Sequence, residues 1–126
     1  NRLQEEFNLT FLFISHDLSV VKFISDRICV MFLGKIVEMG TSEEIFSHQL
    51  HPYTKFLISA LPLPNPHLRD RKLELLERQI PSPIDENSGC PFHSRCPYAK
   101  QRCREEEPQL MKYDNEHFAA CHYILE

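Results

Sequence analysis

Four cysteines gather in the last third of this 126-residue chain, and thiolate sulfur is a strong ligand for soft metal ions. They are Cys90, Cys96, Cys103 and Cys121, with 5, 6 and 17 residues between successive members. Such a set can form disulfides, bind a zinc ion, bind an iron–sulfur cluster or remain as free thiols. In the first three cases the fold must bring the sulfurs together.

The spacing of the four cysteines bears on which metal they could hold. Zinc usually takes cysteines in pairs two to four residues apart, and this set has no such pair, although His93, His117 and His122 could replace a thiolate. A [4Fe–4S] cubane takes one thiolate per iron and accepts wide, uneven spacing. The Cys-Pro steps at Cys90 and Cys96 suit tight loops around such a group. On the residues alone, zinc and a cluster both stay open.

An ionisable side chain follows the longest apolar run of the chain. The run "FLFIS" does not alternate, which predicts a strand over Phe11–Ser15 that is buried on both faces. Side chains at the carboxyl end of such a strand line the crevice where open α/β sheets bind ligands. His16 is therefore a candidate ligand-binding residue. The simpler alternative is a histidine that only satisfies a hydrogen bond at a strand end.

Capping and turn signals predict the elements around these residues. The opening ten residues resemble the end of a helix. The further predictions are a helix over Leu18–Ser25 with Asp17 as N-cap, strands over Arg27–Phe32 and Lys35–Gly40 joined at Leu33–Gly34, a helix from Ser42 to about His48 behind a Thr41–Glu44 capping box, and a helix that begins at Pro52 and ends at Pro62.

The composition is that of a globular protein, with 42% hydrophobic and 25% charged residues. The net charge of −4 and the lack of a basic block argue against nucleic acid as a partner. No apolar stretch reaches the length of a membrane span. The chain starts at Asn1 without a leader-like segment, so we expect a fragment of a longer protein. Cys29, inside an apolar run, is expected to be a buried, inert thiol.

Alternating prolines suggest the domain boundaries. Pro62, Pro64 and Pro66 predict an extended, stiff spacer. The sequence therefore divides into a first unit over residues 1–61, a Pro-rich linker and extended segment over 62–88, and a Cys-rich extension over 89–126. The extension has few large apolar residues, so a metal or another cross-link is expected to stabilise it.

Several strings, in order, resemble one family of proteins. "FLFISHDLSVVKFISDRICVMFLGKIVEMG" is similar to the end of an ATP-binding-cassette ATPase, with "SHDL" as its switch-histidine loop. "HPYTKFLISALP" is similar to a signature of the peptide and nickel importers, and "IPSPIDENSGCPFHSRCP" resembles the carboxyl-terminal extension of the same subfamily. The implied fold is α/β: the C-terminal fragment of a P-loop ATPase domain (a strand, a helix, a hairpin and further helices), followed by a small irregular Cys-rich, metal-bound extension.

The resemblance implies roles for both sets of candidate residues. His16 would be catalytic and cofactor-binding, by contacting the γ-phosphate of ATP. The four late cysteines would hold a [4Fe–4S] cluster, with zinc as the alternative, in a cytosolic protein where disulfides are disfavoured. The implied location is the cytoplasmic face of the cell membrane. The implied partners are a second ATPase subunit (as a homo- or heterodimer), transmembrane permease subunits and, indirectly, a solute-binding protein that delivers an oligopeptide or dipeptide.

The chain departs from the family's pattern in one respect. No G-x-x-x-x-G-K motif surrounds Gly34, Gly40 or Gly89, and no acidic residue directly follows an apolar strand as a Mg²⁺ ligand would. We therefore expect ATP and Mg²⁺ to bind only to a full-length protein, and this chain alone to be inactive. The alternative function is a stand-alone metal- or Fe–S-binding regulatory or interaction module without nucleotide chemistry. Without neighbouring strands, Phe11–Ser15 is expected to self-associate or to be disordered.

Overall fold

The structure is a computed structural model that describes residues 2–61 and 89–125. Its elements are helix α1 (Arg2–Phe7), helix α2 (Leu18–Ile24), strand β1 (Arg27–Phe32), strand β2 (Lys35–Thr41), helix α3 (Ser42–Ser47), helix α4 (Pro52–Ser59), helix α5 (Gln101–Glu105), strand β3 (Met111–Asp114) and strand β4 (His117–Ala119). The predicted helices before residue 62 and the predicted hairpin are confirmed, with ends that differ from the prediction by up to three residues. The predictions for residues 62–88, including the proline spacer, lie outside the described residues.

One antiparallel sheet joins the two ends of the chain. Its strand order is β1-β2-β4-β3, so the late strand β4 pairs directly with β2. Glu38 lies opposite Ala119, and Met39 lies opposite Phe118. The cysteine-bearing segment therefore completes the sheet begun by the first hairpin, and the small mixed α/β fold is built around that sheet.

The β1–β2 hairpin closes through a two-residue turn in the left-handed region. Leu33 has φ of 47° and Gly34 has φ of 79°. Two consecutive positive φ values produce the turn whose twist matches that of the flanking strands. Glycine adopts this conformation without steric cost, whereas Leu33 must be held there by the pairing on both sides.

Side-chain caps begin three of the helices. The Asp17 carboxylate accepts the backbone N–H groups of Ser19 and Val20 at the start of α2, as predicted. Thr41 and Glu44 form the predicted capping box of α3, with both reciprocal bonds present. The α4 helix has Pro52 at its first turn and the imidazole of the preceding residue as its cap.

The core lies between the hairpin and the cysteine-bearing segment. Phe32 and Val37 from the hairpin form one buried cluster with Cys90, Phe92 and Cys103. The Phe92 ring meets the Phe32 ring edge-on at a centroid distance of 5.3 Å. Such aromatic pairs add stabilisation beyond the burial of their area. Phe92, one of the few large apolar residues of the extension, is 1% exposed.

The predicted strand over Phe11–Ser15 is wrong. The run forms no strand, and its apolar side chains face solvent, with Leu12 92% and Ile14 88% exposed. A strand that is apolar on both faces needs paired neighbours and two covering layers. The four strands of the described sheet pair elsewhere and provide neither. His16 consequently lies in an exposed bend before α2 and not at the end of a buried strand.

The expected burial of Cys29 is also wrong, because its side chain is exposed. In β1 the residues that face the core are Ile28 and Phe32, and Cys29 points to the opposite face. An alternating strand exposes every second side chain even when its sequence is apolar throughout.

Among the described helices, none combines the length and the apolar character that crossing a membrane requires.

Candidate functional site

The four late cysteines line one small cavity with a volume of about 10 Å³. Residues from both halves of the chain complete its wall, among them His51 at the start of α4, Phe92 and Tyr123. The structure therefore brings together all four sulfurs that the sequence analysis grouped, although 17 residues separate the third from the fourth. The five cysteines are all free thiols, and Cys29 does not line the cavity.

A close approach of two backbone segments brings Cys90 and Cys103 next to each other at the cavity. The Cys90 N–H donates to the Cys103 carbonyl oxygen at 2.8 Å. This approach depends on Gly89, since a Cβ at that position would lie 2.6 Å from the Arg104 carbonyl carbon and oxygen. Real Cβ atoms do not come so near to backbone atoms, so the position requires glycine.

Backbone N–H groups point at three of the sulfurs. The N–H groups of Phe92 and His93 contact the Cys90 sulfur, and the N–H of Tyr98 contacts the Cys96 sulfur. The backbone N–H of Tyr123 contacts the Cys121 sulfur in the same way. These donors compensate negative charge on the sulfurs, as hydrogen bonds to the thiolates of metal sites do.

Burial raises the pKa of three of the four cavity thiols. It raises the pKa of the Cys90 thiol, and it raises the pKa of Cys96 and of Cys121 to about 11. The backbone N–H groups oppose this shift and are outweighed by desolvation. At neutral pH these thiols are therefore not reactive thiolates, and any metal that binds must displace their protons.

The described cysteines, histidines and carboxylates do not form a site for a single metal ion. Within residues 2–61 and 89–125, no group of three or more such side chains has the required arrangement. A tetrahedral zinc at about 2.3 Å from each sulfur needs sulfurs roughly 3.8 Å apart. A cluster with one thiolate on each of four irons spreads its ligands further.

A buried carboxylate connects this cavity to the sheet. Glu38 is fully buried on β2, and its two oxygens accept the backbone N–H groups of Leu50 and His51, each at 2.8 Å. The Nε2 atom of His117, on β4, lies 2.7 Å from Glu38 Oε1. These three partners satisfy the hydrogen-bonding capacity of a side chain that has no access to water. We call Glu38, His117 and the two N–H groups the Glu38 network.

His51 belongs to both the network and the cavity wall. Its Nδ1 atom accepts the Tyr53 N–H and so caps α4, while its ring lies 5.8 Å from the Phe92 ring. The side chain is 1% exposed, and burial lowers the pKa of His51 to about 4. The ring is therefore neutral at physiological pH, with its proton on Nε2 because Nδ1 is an acceptor.

Sequence reasoning did not find the Glu38 network. Glu38 stands in an alternating strand where an acidic residue is expected to face solvent, and His117 was considered only as a spare metal ligand. The one sequence signal for this network was the "HPY" string, which contains His51 and was interpreted only as the start of a helix. His16, the predicted catalytic residue, lies outside the cavity wall, and its role stays a prediction.

Comparison with known proteins finds relatives among transport ATP-binding proteins. A sequence model described as "Oligopeptide/dipeptide transporter, C-terminal region" matches residues 37–103. The oligopeptide transport ATP-binding protein OppF of Haemophilus influenzae is 48% identical over 98% of this chain. OppF of Salmonella typhimurium is 53% identical over 86% of the chain, and the dipeptide transport ATP-binding protein DppF of Haemophilus influenzae is 47% identical over 97%.

The match covers only part of those relatives. The chain spans 37% of the length of OppF and of DppF from Haemophilus influenzae, and 33% of OppF from Salmonella typhimurium. The matching family model likewise describes a carboxyl-terminal region.

Proposed function

This chain belongs to the family of oligopeptide/dipeptide transporter C-terminal regions, and from that premise we propose that it is the carboxyl-terminal part of the ATP-binding subunit of a peptide importer. The match of nearly the whole chain to transport ATP-binding proteins carries this proposal. In the full-length protein, ATP binds with Mg²⁺ and its hydrolysis drives import. The subunit acts at the cytoplasmic face of the membrane, together with a second ATPase subunit and the permease subunits.

In this proposal His16 contacts the γ-phosphate of ATP. Phosphoryl transfer depends on positioning and on charge stabilisation at the phosphate oxygens, and an imidazole N–H can donate there. His16 is exposed, and the adjacent Asp17 is already engaged in capping α2. His16 is thus available to a ligand, whereas Asp17 has a structural task.

Replacing His16 by alanine in the full-length subunit, assembled with its permease, tests this role. We expect ATP hydrolysis to fall by about 100-fold, as when one donor to a developing negative charge is removed. Thermal stability should not change, because the side chain is exposed. The control is Ser19→Ala, an exposed position one turn away, which should hydrolyse ATP as the wild type does. Unchanged hydrolysis in His16→Ala would contradict the assignment.

For the cavity, the proposed occupant is a [4Fe–4S] cluster held by Cys90, Cys96, Cys103 and Cys121. Two features support it: four thiols around one cavity, and backbone N–H groups aimed at three of the sulfurs. When bound, the cluster would supply a fourfold covalent cross-link. The surrounding residues hold the loops that present the thiols and limit the access of water.

The role proposed for this cross-link is structural. It would join three segments: the turn at Cys90–Cys96, helix α5 and the residues after β4. Few apolar residues otherwise hold these segments together. A unit of this size gains much of its stability from such a link. The cysteine-bearing segment would then be ready to pair β4 with β2.

Metal analysis of anaerobically purified protein tests the cluster. We expect about four irons per chain and a broad visible absorption band. Cys29→Ser should retain both, because Cys29 is outside the cavity, and Cys96→Ser should lose most of the iron. Colourless protein with one zinc, or protein without metal after anaerobic handling, would contradict the proposal.

The apolar residues before α2 support a proposal about partners. Phe11, Leu12 and Ile14 are exposed, together with Phe7 on α1. A contiguous apolar patch of this kind is usually covered by another surface. In the isolated chain, self-association through this segment would cover it.

A further inference from the structure

Cys90 and Cys103 are close enough in backbone position to form a disulfide. The 2.8 Å bond between the Cys90 N–H and the Cys103 carbonyl restricts the distance between the two α-carbons. Standard bond lengths set its upper limit at about 6.7 Å. Disulfides span α-carbon distances of roughly 4.4–6.8 Å. The pair therefore needs no large backbone movement.

The side chains of this pair also converge. Both line the cavity, both are 7% exposed, and both belong to the buried cluster around Phe92. The lack of a Cβ at Gly89 lets the two backbone segments lie this close. By contrast, the backbone N–H of Cys96 bonds to the Phe92 carbonyl and so lies within its own turn.

We propose that peroxide oxidises Cys90 and Cys103 to an intramolecular disulfide when no metal occupies the cavity. The minor fraction of one sulfur that is ionised attacks hydrogen peroxide and becomes a sulfenic acid, with release of water, so the reaction is slow at neutral pH. The second sulfur attacks that sulfenic sulfur and displaces its hydroxyl as a second water. Two thiols lose two electrons in total, and one peroxide is reduced to two waters. The disulfide consumes two of the four cavity thiols, so disulfide and metal exclude each other.

This pairing is not the one that the chain would choose without its fold. Loop closure in a flexible chain favours short loops, with a free-energy cost that grows as 1.5RT ln n. In the unfolded chain, Cys90–Cys96 closure is favoured over Cys90–Cys103 closure by about threefold. A native preference for Cys90–Cys103 would thus report the folded arrangement rather than proximity in sequence.

Peptide mapping of the oxidised chain tests the proposal. The chain carries Cys29→Ser, which removes the exposed thiol and the intermolecular disulfides it would form. It is reduced, freed of metal with a chelator, treated with hydrogen peroxide, alkylated and digested without reductant. We expect a loss of two hydrogens and a Cys90–Cys103 link as the main product. The same treatment in guanidinium chloride should yield mainly the Cys90–Cys96 and Cys96–Cys103 links.

Four variants in the same background sharpen the test. Cys96→Ser and Cys121→Ser should still form the link, whereas Cys90→Ser and Cys103→Ser should not. If one of these variants fails to fold, the peptide map of the Cys29→Ser chain still decides the question by itself. A native map dominated by any other pair, or four thiols that survive peroxide, would overturn the proposal. The readout requires no iron, so the disulfide can be confirmed or rejected whether or not the cavity takes a cluster.

Discussion

Replacing Glu38 by glutamine is expected to lower the free energy of unfolding by about 1–3 kcal/mol, the usual cost of leaving a buried hydrogen-bonding group without its partner. Glu38 offers two oxygens, one to the Leu50 N–H and His117 Nε2 and the other to the His51 N–H. Glutamine has one oxygen and one NH₂ group. Whichever way it is turned, a buried donor faces another donor and is left unsatisfied.

The effect should extend to the cavity, because His51 donates its N–H to Glu38 and also lines the cavity wall. With its N–H unpaired, the start of α4 loses the bond that positions the His51 ring against Phe92. We therefore expect Glu38→Gln to bind less metal as well as to unfold more readily. Chemical denaturation followed by circular dichroism measures the first effect, and metal analysis measures the second.

Glu43→Gln is the matched control. Glu43 is exposed on α3, and an exposed substitution of this kind changes stability by no more than about 0.5 kcal/mol. If Glu38→Gln unfolded at the same denaturant concentration as the control, the Glu38 network would not have the structural role assigned here.

Replacing Gly89 by alanine is expected to separate the two backbone segments that carry Cys90 and Cys103. The new Cβ would lie 2.6 Å from the Arg104 carbonyl group, so the segments must move apart. The movement breaks the 2.8 Å bond from the Cys90 N–H and opens the core around Phe92. We expect a loss of about 3 kcal/mol, typical of overpacking between rigid groups.

Gly89→Ala should also abolish the Cys90–Cys103 disulfide and most metal binding. The measurements are denaturation, peptide mapping after peroxide, and iron content. Gly34→Asn provides the glycine control, because nothing lies within 4 Å of a Cβ there and asparagine tolerates the positive φ. If both variants behaved as the wild type does, the close approach at Gly89 would not be needed.

Short-range signals predicted the local structure well. The Asp17 cap, the Thr41–Glu44 capping box and the Gly34 turn each depend on residues two to four positions apart. Their energetics are complete within a few residues, so the sequence can be interpreted without knowledge of the fold. The grouping of the four late cysteines was also predicted, since residue chemistry alone indicates what they could share.

Long-range pairing was not predictable in the same way. The strand over Phe11–Ser15 failed because its formation depends on neighbours that no local pattern specifies. Strands β3 and β4 were missed because three or four residues carry too little alternation to be recognised. The buried position of Glu38 was missed because an acidic residue in an alternating strand normally faces water.

The sequence by itself determined the caps, the turn, the family resemblance and which sulfurs could act together. Only the tertiary structure decided that β4 pairs with β2, that Glu38 is buried against the start of α4, and that the backbones of Cys90 and Cys103 are hydrogen-bonded to each other. The physical reason is the range of the interactions. Capping and turn energies arise between near neighbours, whereas burial and strand pairing arise between residues that are brought together only when the whole chain has folded.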